Sequence, residues 1–306
     1  MEKQSPLVSI ITPTFNQSKF LSETIESVLK QDYDNVEYMV INDGSTDNTE
    51  EILKKYGDRI TWETQKNIGQ TPTINKGWKK SKGSILAYIN SDDTYYSENV
   101  ISIIVDYFQK NPDVYILYGN SVYIDENSDE LGMYDSYEFN YDKIFSTCSN
   151  PIPQPSAFIR KEVLDKVGYL DERIYYAMDL DLWLRAGMHF KIGYIPEKLS
   201  TYRLHKDAKS VSSMARSAND VVYIYNKLFR DKDLPKHFIE QKKKIMGRAY
   251  LLSAEQYFMG KDWNKSYQAF IEVIKMDISS MGIRCCVKFM FSYILSLIKI
   301  FRKNNK

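Results

Sequence analysis

Residues 86–96, LAYINSDDTYY, carry an apolar run into Asn90 and Ser91 and then into two adjacent carboxylates, Asp92 and Asp93. Like charges side by side repel and raise one another's pKa unless something positive sits between them. The pair therefore asks for a cation at the end of a strand that reads as buried. The plain alternative is that the two acids cap a helix opening near Ser97. Asp43 closes a second apolar run, and the turn Thr12-Pro13-Thr14-Phe15-Asn16 closes a third.

Something must hold these ends in place. Short β-branched runs at 7–12, 36–41, 60–64, 84–89 and 114–124 alternate with helix-patterned segments at 19–31, 45–57, 71–83 and 97–111. This βαβα rhythm predicts a mostly parallel sheet with helices on both faces. Ligands of such sheets bind beyond the carboxyl ends of the strands, where Asp43, Asp92, Asp93 and the Thr12 turn all stand. After about residue 125 the pattern loosens into loop and short helix, with Pro151, Pro153 and Pro155 close together. AMDLDLWLRAG (177–187) and a strand-like stretch at 191–205 follow. From about 214 onward only helical periodicity remains. Residues 246–276 read as a helix pair of tetratricopeptide type, and one such pair cannot form a solenoid. The last apolar stretch, 285–301, carries Lys288 and Lys299 and a basic end, and reads as an amphipathic helix.

Composition narrows the function classes. Apolar residues are 43% and charged residues 26%, ordinary for a globular chain. Lys plus Arg number 41 against 40 Asp plus Glu, so the net charge of +1 gives no electrostatic footprint for nucleic acid. Cys148, Cys285 and Cys286 make an odd count with one vicinal pair, which fits a reducing compartment better than a disulfide framework. The N-terminal residues lack the apolar core of a signal peptide, and no uninterrupted apolar stretch reaches the roughly 18 residues of a spanning helix.

Four pieces in order carry a resemblance. VSIITPTFNQSKFLSETIESVLKQ, VEYMVINDGSTDNT, and then NIGQTPTINKGW and GSILAYINSDD make residues 6–125 resemble the nucleotide-binding half of family 2 inverting glycosyltransferases, which have the GT-A fold. The resemblance implies an α/β domain over 1–213, with a nucleotide-binding half to 125 and an acceptor half from 126. A helical region over 214–306 follows. It also implies a donor made of a base, a ribose and a diphosphate whose charge must be neutralised as it leaves. A hard divalent cation does this, so Asp92 and Asp93 are expected to hold Mg²⁺ or Mn²⁺. Asp43 matches the carboxylate that pairs with the base, as with N3–H of a uracil. Thr12, Pro13 and Phe15 are expected to line the base and ribose pocket, and Gly69 to let the backbone approach. Ser91 and Asn90 are expected at the donor as well. Asn90 stands where the family more often has Asp, so it can bond a ribose hydroxyl but adds no charge.

MDLDLWLRAG resembles the family's acidic block at the start of a helix. Asp179 matches the carboxylate that deprotonates the acceptor hydroxyl, with Asp181 the runner-up. Met178 replaces a usual Glu. STYRLHK resembles a Tyr-Arg-x-His segment, so His205 is expected at the metal or diphosphate, with Arg203, Lys206 and Lys209 screening the phosphates. Gln154 and Trp183 are the acceptor-side candidates. The function implied is transfer of a sugar, most readily from a UDP-sugar, to a hydroxyl of a glycan or lipid-linked oligosaccharide. The setting would be surface polysaccharide synthesis, O-antigen or capsule. The protein would be cytoplasmic, touching the membrane's cytoplasmic face through its last helix or pairing as a homodimer. The alternatives are a degenerate transferase domain that acts as a scaffold through its helices and a nucleotidyltransferase. The latter lacks a Gly-rich basic loop after the first strand.

Overall fold

Eight strands form one mixed sheet in the computed structural model, which describes residues 5–206, 214–277 and Ile294. The chain divides into two compact units. The first holds the described residues up to 139, with 150–172 and 189–205; the second holds 140–149, 173–188 and the described residues from 206 onward.

The first unit is built on β1 (Val8–Thr14), β2 (Val36–Asn42), β3 (Thr61–Thr64), β4 (Ile85–Tyr88), β5 (Val114–Ile124), β6 (Glu130–Met133), β7 (Phe158–Arg160) and β8 (Lys191–Arg203). Their order is β3-β2-β1-β4-β7-β5-β6, and β8 pairs with β5. β1 runs parallel to β2 and β4, and β2 parallel to β3. Every residue of β1 is buried, as expected of a parallel strand covered on both faces. Helices α1 (Ser18–Leu29), α2 (Thr49–Tyr56), α3 (Gln70–Lys80) and α4 (Val100–Lys110) fall where the periodicity put them. α1 buries Phe20, Leu21, Ile25 and Val28, the stripe read from its spacing. β7 escapes sequence reading because three residues carry no period, yet it lies antiparallel between β4 and β5.

α3 closes on β1 at Gly77. A Cβ there would stand 2.6 Å from Ile11 Cγ2, and Ile11 is itself buried. Alanine favours helix over glycine by about 1 kcal/mol, but overpacking a tight core costs about 1–3 kcal/mol. Gly77→Ala is therefore expected to destabilise by about 1 kcal/mol and lower the urea midpoint. A raised midpoint would contradict the close approach.

The second unit is helical. α5 (Tyr141–Thr147), α6 (Lys161–Val167, in the first unit) and α7 (Met178–Gly187) are followed by helices Asp220–Leu228, Lys242–Met259 and Trp263–Met276. Phe145 of α5 packs on Phe238 at 4.2 Å and Tyr225 at 5.1 Å between ring centroids. These contacts group α5 with the C-terminal helices, and the Asp181–Lys227 ion pair does the same for α7, whereas the sequence reading sets its division at 213. The helix pair expected over 246–276 is present, with Ala254, Tyr257, Ala269 and Phe270 buried together. Burial pushes the Cys148 thiol up to about 12. Cys285, Cys286, Lys288, Lys299 and the expected amphipathic helix lie outside the described residues, as does Lys209. Among the described residues no helix is long and apolar enough to cross a membrane.

Candidate functional site

Because β2, β1 and β4 are neighbours and parallel, their carboxyl ends line one edge of the first unit. Asp43 follows β2 directly, its N–H donating to Thr14 O at 2.8 Å. Gly44 comes next with φ +78, and a Cβ on it would meet Asn67 N at 2.8 Å, so the turn needs glycine. The Asp43 carboxylate is buried. Its Oδ1 accepts from Ile68 N and Gln65 Nε2, each at 2.9 Å, and its Oδ2 accepts from Gly69 N at 2.8 Å. Asp43 thus fastens the 65–69 loop, and Gly69, at φ +96, opens α3 there. Two large apolar side chains stand exposed on the loops after β1 and β3, Phe15 at 46% and Ile68 at 51%. Ile68 was not singled out from sequence, although it sits inside the quoted NIGQ. Pro13 is buried in β1, and Thr12 Oγ1 bonds the Tyr38 hydroxyl at 3.0 Å.

Beyond β4 an amide chain explains Asn90. Gln70 Nε2 donates to Asn90 Oδ1 at 2.7 Å. Asn90 Nδ2 faces Gln154 Oε1 at 3.2 Å and Asp93 Oδ2 at 3.3 Å. Gln154 Nε2 donates to Tyr88 O at 2.7 Å. An aspartate at 90 would set its oxygens against those of Asp93 and Gln154, where the carboxamide donates instead. Gln154, expected at the acceptor, is corrected on this ground: it is buried, and its amide is engaged by β4 and Asn90. Ser91 is buried too.

Asp92 and Asp93 part company. Asp92 Oδ2 lies 3.0 Å from His205 Nε2, and its side chain is 19% exposed. The His205 ring leans on Phe20, with centroids 4.9 Å apart. Asp93 turns inward. Its Oδ1 accepts from Arg203 N at 2.9 Å, and its backbone oxygen accepts from Thr24 Oγ1 at 2.8 Å. Burial, then the neighbouring charge of Asp92, holds the Asp93 carboxyl well above the usual carboxylate range. Because its side chain is buried with Oδ1 taken by Arg203 N and Oδ2 by Asn90 Nδ2, Asp93 is corrected from metal ligand to brace.

Arg203 is corrected as well. Its side chain is fully buried and cannot screen a departing phosphate. It donates to Asp92 O at 2.8 Å, Asp125 O and Ser128 Oγ at 2.9 Å each, and Glu23 Oε2 at 2.6 Å. Its guanidinium also lies over Phe20, 4.8 Å from the ring centroid. One residue thereby ties α1, the loop after β4 and the turn after β5 to β8. Lys206 is exposed.

The metal expectation is tested on this geometry. Adjacent ligand atoms of a six-coordinate ion at about 2.1 Å stand about 3.0 Å apart. Asp92 Oδ2 and His205 Nε2 meet that spacing. Among the described residues no three His, Cys, Asp or Glu side chains gather to hold an ion by themselves. A site with few protein ligands, completed by substrate phosphates and water, is the kind Mg²⁺ takes, and carboxylate and water oxygens are ligands of the kind Mn²⁺ takes as well.

The second unit carries the remaining acids. Asp179 stands half-buried in the first turn of α7, where the helix dipole favours a carboxylate. Asp181 is fully buried, with Arg185 Nε at 2.8 Å and Lys227 Nζ at 2.5 Å. Two cations enclose it, so it is corrected from runner-up base to an anchor of α7. Trp183 is 2% exposed and belongs to the core, not to an acceptor surface.

Comparison with known proteins bears on this arrangement. The sequence model of the family described as Glycosyl transferase family 2 matches residues 9–168. An uncharacterized glycosyltransferase of Rickettsia typhi is 33% identical over 217 residues, covering 68% of this chain and 67% of that protein. Longer Rickettsia relatives are matched over only 37% and 32% of their length. Residues 1–349 of TarS from S. aureus, solved with UDP-GlcNAc, align with a TM-score of 0.68 at 17% identity, covering 94% of this chain and 89% of that one. The Pyrobaculum calidifontis mannosyltransferase PcManGT, solved with GDP-Man and Mn²⁺, gives 0.59 at 16% identity, over 98% and 83%. At these identities the structural likeness is one of fold.

Proposed function

The chain belongs to glycosyl transferase family 2 and has the GT-A fold, and on that footing we propose that it is an inverting transferase of a nucleotide-diphospho-sugar, with a UDP-sugar as donor. The observation that carries the reading is the Asp92–His205 pair, 3.0 Å apart beyond β4. Asp43, fixed at the end of the neighbouring β2–β1 pair, is the base anchor. Its Oδ1 already accepts two bonds and its Oδ2 one. A carboxylate oxygen has two acceptor directions, so a single further N–H fits. Uracil presents one such N–H at N3, whereas guanine presents adjacent donors that call for two free acceptors. Phe15 and Ile68 are apolar faces for the flat base.

Asp92 and His205 would hold Mn²⁺ or Mg²⁺, whose charge neutralises the departing diphosphate. Asp179 takes the proton of the acceptor hydroxyl. That oxygen forms a bond to the anomeric carbon on the face opposite the diphosphate, the bond to the diphosphate oxygen breaks, and the configuration inverts. The acceptor is a hydroxyl of a glycan or lipid-linked oligosaccharide, and surface polysaccharide synthesis is the setting. TarS with UDP-GlcNAc and PcManGT with GDP-Man and Mn²⁺ are fold neighbours in keeping with this class of donor.

A hydrolysis panel of UDP-, GDP- and dTDP-sugars, with proton NMR of the first sugar released, tests it. Turnover of uridine or thymidine donors with an inverted anomeric centre is expected. Preference for GDP-sugars would overturn the Asp43 argument, and retention would overturn the single displacement.

A further inference from the structure

Asp179 is delivered by the stretch Arg173–Ala177, which leads into α7. The helix has no cap of its own, because Ala177 stands at the N-cap position without a side-chain acceptor. The acceptor comes from a distant part of the chain. Asp220 Oδ2 takes the N–H groups of Tyr176 at 2.6 Å and Ala177 at 3.2 Å. The Arg216 guanidinium lies 3.8 Å from the centroid of the Tyr175 ring, and the Arg173 guanidinium 5.3 Å from that of Tyr223. Lys227 reaches Asp181, two residues past the base. Positions 220, 223 and 227 lie at helical spacing on Asp220–Leu228, and Arg216 stands in the short helix Met214–Ser217 just before it, so this segment holds both the entry loop and α7.

We infer that Asp220 is a positioning residue for the acceptor base, and that the helices after 214 belong to the transfer machinery rather than forming an appended arm. The inference rests on the reading of Asp179 as that base. Asp220 is buried, and a carboxylate accepting two backbone N–H groups makes charge-assisted bonds that fix the peptide planes they hold. Those planes precede Asp179 by two and three residues, so a shift in them carries the base with it. Misplacement of a reacting group by about 1 Å costs about 10²-fold in rate. The family match stops at residue 168, so it does not reach Asp220.

The test uses the full chain with Mn²⁺ and the fastest-hydrolysed member of the UDP-, GDP- and dTDP-sugar set, water serving as acceptor. Asp220→Ala is expected to lower kcat by up to about 10²-fold with the donor KM unchanged. Asp220→Asn, which keeps one acceptor oxygen, should recover most of that loss. Arg216 is exposed, so Arg216→Ala is tolerated by the fold and provides the reading should Asp220→Ala not fold. It should lower kcat by about threefold to tenfold, again with the donor KM unchanged. An unchanged kcat in both alanine variants overturns the inference, as does an equal loss in kcat and donor affinity. Asp179→Asn, run alongside, separates the two claims. Full turnover in that variant removes the base assignment itself. An inactive Asp179→Asn beside a fully active Asp220→Ala removes only the positioning role.

Discussion

Asp179→Asn is expected to lower turnover of donor by about 10²–10⁴-fold, the range a positioned general base contributes, while UDP affinity should stay as in the wild type. The substitution conserves shape and removes only the ability to take a proton. Asp179 sits in the first turn of α7, half-buried, so its loss leaves the helix core of Leu180, Leu182 and Leu184 in place. Asp181→Asn makes the contrasting case. It removes one charge from a site enclosed by Arg185 and Lys227, which leaves two cations without their partner. Breaking such a buried pair destabilises by about 3–5 kcal/mol. One acid is thus expected to cost rate and the other stability. Parallel kcat and urea-unfolding measurements on the two variants separate them. A stable, inactive Asp181→Asn beside an active Asp179→Asn would reverse the roles.

Arg203→Met is expected to destabilise the first unit by about 3 kcal/mol. The methionine fills part of the volume, yet Asp92 O and Asp125 O lose their part-buried donor. The Glu23 pair adds less, because Glu23 is half-exposed. The variant should show a lower urea midpoint at unchanged slope. Its folded fraction should also bind UDP with Mn²⁺ more weakly, since the loop bearing Asp92 is no longer tied to α1 and β8. An unchanged midpoint would mean that the guanidinium is not the tie described.

What was legible in the sequence follows from the length and regularity of each element. β1, β2, β4 and β5 are apolar runs bounded by turns, and α1 and α4 carry full amphipathic stripes, so local pattern alone placed them. β7 has three residues beside a proline cluster and shows its identity only through pairing with β4 and β5. The site divides in the same way. Asp43 and Asp92 are marked by where their strands end. Which of Asp92 and Asp93 faces outward depends on a turn that pattern does not describe, and the same holds for Arg203. An arginine near the end of a strand reads as a phosphate screen until its four partners, far apart in sequence, are seen around it. Asn90 reads as a departure from the family motif until Gln70, Asp93 and Gln154 are found about it. Asp220 lies 43 residues from the amide it holds, and no spacing rule reaches that far.

The most direct measurement is a thermal-shift titration with UDP, with and without Mn²⁺, on the wild type and on Asp92→Ala. If Asp92 and His205 hold a cation against the diphosphate, Mn²⁺ and UDP together raise the wild-type melting temperature more than either alone, and Asp92→Ala loses that added shift. A wild type indifferent to UDP and Mn²⁺, or an Asp92→Ala variant that keeps the full shift, would contradict the account.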